Sequence, residues 1–400
     1  MTVTSVTTKV EAAVLHMSCE LGLEKWKLGF TTGLNEPIRV REIAGRDLEV
    51  LKLEIAKAIE VFGLSAETRI VSCYEAGRDG NWLHRWLEKQ GIENYVVDSA
   101  SIEVNRRKRR AKTDRLDVTK LVRMLVRHVL GEKNVWSVVR VPSEADEDAR
   151  HLHRSLSTLQ EERTRLRNRI KGVVIGQGVR VLRIGKDFVT WLCGVRTWEG
   201  KELAPGLLAR VKQEWERLQI VEAQILDAKR RQREKLREAR EAIALRKQEA
   251  KKARQQEQVE VEAIDKVVQM MNLRGIGTTG AWVLVHELFG WRKFNNRREL
   301  GALIGFTPTP YDSGNDVREQ GISKAGNNQV KKLAVELGWS WLRYQPQSGL
   351  SRWYRRRFAK GGKRMRKIGI VALARKLVIA LWRYVEFGQV PQDARFKEAA

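Results

Sequence analysis

Between residues 14 and 130 the apolar positions switch repeatedly between two periods, and the order of the switches leaves few folds open. Residues 14–21 are a short apolar run expected as a strand, and Trp26, Leu28 and Phe30 alternate as a second strand should. Residues 38–43 suggest a third. Residues 47–62 then carry Leu51, Leu53, Ile55, Ala58 and Ile59, closer to a helical stripe than to strict alternation. A compact β-rich run covers 69–74, a short helix 81–89, and another strand 95–98. Residues 114–129 close the unit as a helix, with Leu116, Leu121, Met124, Leu125 and Val129 near one face.

The order βββαβαβα is that of an RNase H-like nuclease domain, so an α/β unit is expected over 1–135. From Ala145 the pattern changes. Leu152, Leu156, Leu159, Arg163, Leu166, Ile170 and Val173 fall at alternating spacings of four and three, a heptad seam on a charged helix that predicts a coiled coil. Glycines, Trp191 and Trp198 interrupt it over 172–206, and a second long helix is expected from about Leu207 to Val268. Between 229 and 258 its apolar stripe is narrow, so it either pairs with another helix, RNA or DNA, or stands as a solvated spacer. This coiled-coil and linker region spans 136–268. A mainly helical C-terminal domain is expected over 269–400, with helical patterns at 282–288, 300–306, 329–341 and 368–385.

Lys and Arg number 76 against 49 Asp and Glu, a formal net charge of +27. A surplus of that size suits a polyanion held through phosphate contacts. No apolar run is long enough to span a membrane, and residues 1–10 lack the marks of a signal peptide. Cys19, Cys73 and Cys193 are scattered and odd in number, which argues against a disulfide framework or zinc site and for a reducing, cytoplasmic setting. Any metal would be held by carboxylates.

Four acids stand out by position. Glu20 and Glu75 end two expected strands, and Asp114 and Asp117 share one face of the first turn of the closing helix. Clustered at one sheet edge, they would repel one another unless cations intervened, and Mg²⁺ is the hard cation that oxygen ligands suit. Asp114 taken alone reads first as an acid favoured by the helix dipole, and the fourfold arrangement turns the reading toward a metal site. Upstream lie Arg106, Arg107, Lys108, Arg109 and Arg110, then Lys112: either a solvated arm or a grip on a phosphate backbone. Leu273–Gly277 fits a helix-hairpin-helix turn, where Gly275 and Gly277 would let backbone N–H groups approach phosphate, or an ordinary helix–helix turn. Ser313, in Tyr311-Asp312-Ser313-Gly314, is a turn residue or, beside Arg318 and Lys324, a nucleophile toward phosphate. Arg355, Arg356 and Arg357 add a further basic cluster for nucleic acid.

These residues carry a resemblance. The chain resembles DEDD-type transposases of the insertion-sequence family called one-ten, the bridge-RNA-guided serine recombinases, over nearly its whole length. The similarity is greatest in Cys73-Tyr-Glu-Ala-Gly-Arg-Asp-Gly-Asn-Trp82, in Arg110-Ala-Lys-Thr-Asp-Arg-Leu-Asp117 and in 303–331. Arg78 departs from the first motif, which has Gly there. The resemblance implies that Glu75, Asp114 and Asp117 are metal-binding acids and that Glu20 is the fourth, where the family has Asp. It implies that Ser313 is the recombinase serine. It also implies a RuvC-like N-terminal domain, a coiled-coil dimerisation region, and a C-terminal domain completing the active site between protomers.

The expected function is therefore Mg²⁺-dependent strand exchange through a phosphoserine–DNA intermediate. Donor and target DNA would be chosen by a structured noncoding guide RNA, and the working species would be a dimer or tetramer at the prokaryotic nucleoid. Two alternatives stand beside it: a RuvC-like junction nuclease using activated water, and a non-catalytic basic protein binding nucleic acid.

Overall fold

The structure, a computed structural model, describes residues 13–77, 80–102, 114–181, 183–253, 261–313, 316–323 and 326–398. The chain divides into two compact units, Met1–Pro142 and Ser143–Ala400. Among the described residues no helix is long and apolar enough to cross a membrane.

The first unit is a five-stranded mixed sheet flanked by helices. Its elements are β1 (Val14–Leu21), β2 (Lys25–Thr31), β3 (Arg39–Ala44), α1 (Leu48–Val61), β4 (Arg69–Glu75), α2 (Trp82–Lys89), β5 (Glu93–Val97) and α3 (Asp114–Val129). The strand order is β3-β2-β1-β4-β5. β1, β2 and β3 pair antiparallel, whereas β1, β4 and β5 run parallel. Strict alternation sorts the sheet residues onto two faces. Leu15, Met17, Cys19, Trp26, Leu28 and Phe30 meet Leu51 and Ile55 of α1 and Leu83 and Leu87 of α2 in one core. Val71, Cys73 and Val97 face the other way, against Leu121, Met124 and Leu125 of α3. One expected contact differs. Leu116 is 52% exposed, and Val118, Val122 and Val126 are buried instead, because the helix turns its 118/122/125 row toward the sheet.

The second unit is mainly helical. Ser143 caps α4 (Glu144–Ile175) through a capping box with Asp146. α5 (Phe188–Gly194) and α6 (Pro205–Ala253) follow. Here the seam finds its partner within the chain: Leu156, Leu166, Ile170 and Val174 of α4 are buried against Val211, Leu218, Val221 and Ile225 of α6. The helix expected to run on to Val268 does not. α6 is described as far as Ala253, residues 254–260 lie outside the described residues, and α7 (Ala263–Met271) begins anew after Glu262, whose backbone is extended and which forms a capping box with Asp265. The narrow end of α6 has partners too. Leu236 joins the core of the C-terminal helices, and Arg246 grips Asp265 with two hydrogen bonds of 2.8 Å.

That core is closed by α8 (Thr278–Leu284), which runs on as a π-helical turn over Val285–Phe289, and by α9 (Arg297–Ile304), α10 (Asn328–Tyr344), α11 (Gly349–Tyr354) and α12 (Lys363–Phe387). A hairpin absent from the sequence reading, β6 (Pro308–Ser313) with β7 (Asp316–Ile322), stands between α9 and α10. Its base is anchored at Gly326, where φ is +92° and a Cβ would lie 2.7 Å from the Leu303 carbonyl oxygen.

Candidate active site and nucleic-acid interface

Three of the four acids come to one edge of the first sheet. In the parallel pair β1–β4, Ser18 is level with Cys73 and Cys19 with Tyr74. Glu20 and Glu75 are the next residues of the same phase, so they lie side by side at the carboxyl ends of adjacent strands, on the face that α3 covers. The position of α3 is fixed by the residues just before those acids. Ser18 Oγ donates to the Val118 carbonyl oxygen at 2.8 Å, and Cys73 Sγ lies 3.9 Å from the Leu121 carbonyl oxygen. Gly29 on β2 makes the approach possible, since a Cβ there would stand 3.0 Å from Ser18 Oγ and 3.2 Å from Val118 Cγ1. Farther along α3, Met124 and Leu125 belong to the core cluster against which Val14, at the opposite end of β1, packs. The amino end of α3, with Asp117, therefore lies over the strand ends that carry Glu20 and Glu75.

Asp114 begins α3 three residues earlier, but its side chain lies outside the described residues. Among the described residues no three His, Cys, Asp or Glu side chains are grouped closely enough to hold a metal ion. Lys27 is the cross-strand neighbour of Glu20, so that acid has a cation of the protein itself beside it. Glu75 is exposed and Asp117 half-buried. Carboxylate oxygens are the donors that a hard divalent cation takes, but the side chains of Glu20, Glu75 and Asp117 are not gathered closely enough to hold one as they stand. Cysteine chemistry is not available in this unit. Burial pushes the Cys19 thiol up to about 12 and raises that of Cys73 well above its ordinary value, so both stay protonated.

Ser313 belongs to the second unit. It is the last residue of β6 and pairs with Asp316 across the tip of the hairpin; its side chain and that of Arg318 lie outside the described residues. Lys324, Arg78 and the run Arg106, Arg107, Lys108, Arg109, Arg110 and Lys112 also lie outside them. Arg355, Arg356 and Arg357 are all exposed on a π-helical turn over Arg355–Ala359. Lys363, Arg364, Arg366 and Lys367, also exposed, crowd the first turns of α12 where the helix dipole disfavours cations, and no acid balances them in the first turn. Gly275 has φ +83° and is packed under Tyr344, while its carbonyl accepts from Ser340 Oγ at 2.7 Å. Gly277 is the amino cap of α8, with open space where a Cβ would be.

The sequence reading missed a buried charge cluster. Glu287, on the π-helical turn, receives two hydrogen bonds from Arg154, of 2.7 and 2.9 Å, and lies 2.8 Å from His153 Nε2. Asn327 Nδ2, at the amino cap of α10, reaches the same carboxylate at 3.4 Å. His153 and Arg154 are more than 130 positions from Glu287, and Asn327 is 40 away, so no local pattern could have announced the cluster.

A family model described as Transposase IS116/IS110/IS902 family matches residues 269–350, which contain α8, α9, the hairpin and α10. The chain is 36% identical over 398 residues to "Putative transposase y4rJ" of Sinorhizobium fredii (strain NBRC 101917 / NGR234), covering 97% of this chain and 96% of that protein. It is 27% identical to "Putative transposase y4qE" of the same strain over 77% of this chain and 67% of that protein. It is also 28% identical to the transposase for insertion sequence element IS1328 of Yersinia enterocolitica, over 30% of this chain and 36% of that protein. With one relative matched from end to end and the family's own signature region present, the chain belongs to the IS116/IS110/IS902 transposase family.

Proposed function

We propose that this chain is a transposase that cuts and rejoins DNA, with an RNase H/RuvC-like first unit supplying the acids and the second unit supplying a serine nucleophile. What supports the reading is the register that sets Glu20 and Glu75 at the carboxyl ends of adjacent strands of a β3-β2-β1-β4-β5 sheet, in a chain similar to proteins named transposases. Glu20, Glu75, Asp114 and Asp117 would hold Mg²⁺, which when bound would make an oxygen nucleophile at neutral pH and stabilise the leaving oxygen.

Ser313 Oγ gives up its proton as it bonds to phosphorus. The P–O bond of the DNA strand breaks, and its electron pair leaves on the sugar oxygen, which takes up a proton. Rejoining reverses the step with a hydroxyl from another strand. The exposed cations from Arg355 to Lys367 hold the phosphate backbone. Guidance by a structured RNA and action as a dimer or tetramer rest on the family resemblance.

A junction nuclease with water as nucleophile is the second reading, favoured by the fact that the acids and Ser313 belong to different compact units. One experiment separates them. Wild-type protein, Ser313→Ala and Asp114→Asn are trapped on a substrate with one labelled strand and run on a denaturing gel. A protease-sensitive protein–DNA adduct with wild type alone supports the serine. Cleavage by Ser313→Ala with no adduct in any sample replaces it with water.

A further inference from the structure

A cavity of about 750 Å³ opens in the second unit where α9, α11 and α12 meet. Arg297 and Arg298 of α9, Trp353 of α11, and Arg375, Lys376 and Arg383 of α12 line it, and among the described residues no Asp or Glu lines it. Five cations facing one space repel each other unless an anion lies between them. The space is far larger than a single small anion needs, since a water molecule takes roughly 30 Å³. Along α12, the eight residue steps from Arg375 to Arg383 cover about 12 Å at about 1.5 Å per residue. That is the length of three to four nucleotide steps at about 3.4 Å each.

The wall is also pre-set. The Arg375 side chain donates to the Phe306 carbonyl oxygen at 3.3 Å and packs across Gly301, where a Cβ would stand 3.0 Å from its Nε. Trp353 is half-buried, with Lys376 Nζ 4.8 Å from its ring centroid. A basic wall beside a fixed indole is the pairing that holds a backbone while a base stacks.

We propose that this cavity is a binding site for a nucleic-acid strand, with phosphates on Arg297, Arg298, Arg375 and Arg383 and a base against Trp353. The proposal deepens the transposase reading and rests on it for the class of ligand. The test uses the full chain and labelled single-stranded DNA, single-stranded RNA and duplex DNA, with affinity measured across a salt series. Arg297→Gln/Arg383→Gln changes two exposed side chains. Arg210→Gln/Lys229→Gln removes the same charge from exposed positions of α6 as a control.

The cavity variant should bind more weakly than the control and flatten the log–log salt slope by about 1.4 on single strands, roughly 0.7 for each lost contact. Trp353→Leu should weaken single-strand binding about tenfold, the effect of one lost stack. Loss confined to DNA or to RNA identifies the strand, and loss on both identifies a backbone site. Affinity and slope equal to those of the control overturn the cavity proposal while leaving the transposase reading intact. A wild-type chain that binds neither DNA nor RNA removes both.

Discussion

The Glu287 carboxylate lies 2.8 Å from His153 Nε2 across 134 positions of sequence, both side chains almost wholly buried. This contact, with Arg154 beside it, ties α4 to the helical layer that carries the hairpin. Burial by itself would raise the Glu287 carboxyl, but hydrogen bonds from His153 and Arg154 outweigh it and hold the group down to about 2. Removing one partner of such a cluster strands the others. Glu287→Ala should destabilise the chain by about 3–5 kcal/mol, read as a fall in denaturation midpoint. An unchanged midpoint would show that the cluster contributes nothing.

The same region sets an acid response in two stages. Burial, aided by His153 and Lys235, lowers His286 to about 4, so the unfolded chain takes up this proton first. Stability from this group is complete above about 6.5, the ordinary histidine value, and is lost as pH falls toward 4. Glu287 is depressed as well, so its contribution is complete above about 4.3 and is lost as pH falls through about 2. Denaturation midpoints measured from pH 7 downward should drop in both windows. His286→Phe should shrink the upper drop and leave the lower one, the remainder coming from His16 and His84, which burial also lowers; an upper drop of unchanged size would show that His286 contributes nothing to it.

Asp117→Asn should abolish strand cleavage while nucleic-acid affinity stays the same or rises slightly, because an acid that would hold Mg²⁺ otherwise repels phosphate. Cleavage and binding assayed on the same preparation check this. Full activity in the variant, or cleavage by wild type in EDTA, would refute the metal role.

Gly29→Ala tests whether the seating of α3 matters to the acids. Its new methyl group meets Ser18 Oγ and Val118 Cγ1 at 3.0 and 3.2 Å, which should destabilise by about 1–3 kcal/mol. It should also reduce cleavage at temperatures where the variant is fully folded, since Asp117 is the residue before Val118. Normal cleavage by the folded variant would mean that α3 need not be held this closely.

Ile170, 1% exposed, belongs to the core between α4 and α6. Ile170→Ala should therefore lower stability by about 2–5 kcal/mol without changing the mass measured by light scattering. A drop in mass would instead make the seam an intermolecular contact.

The sequence by itself determined the elements of the first unit, because a strand with one face toward each neighbouring helix must alternate and a helix against a sheet must carry a stripe. It also placed Glu20, Glu75, Asp114 and Asp117 at the ends of those elements. It did not determine rotation or partnership. Leu116 belongs to the apolar pattern of α3 yet is exposed, and only contact with Ser18 and Gly29 decides which turn of the helix faces the sheet. The α4 seam has the spacing of a coiled coil between chains, but that spacing is satisfied equally by α6 of the same chain. The β6–β7 hairpin escaped notice because Pro308, Pro310 and Gly314 read as punctuation. Two strands paired only with each other need no apolar face on both sides. Glu287 with His153, and the cations of α9 with those of α12, were invisible for one reason: charge has no period, and only the folded chain brings distant charges together.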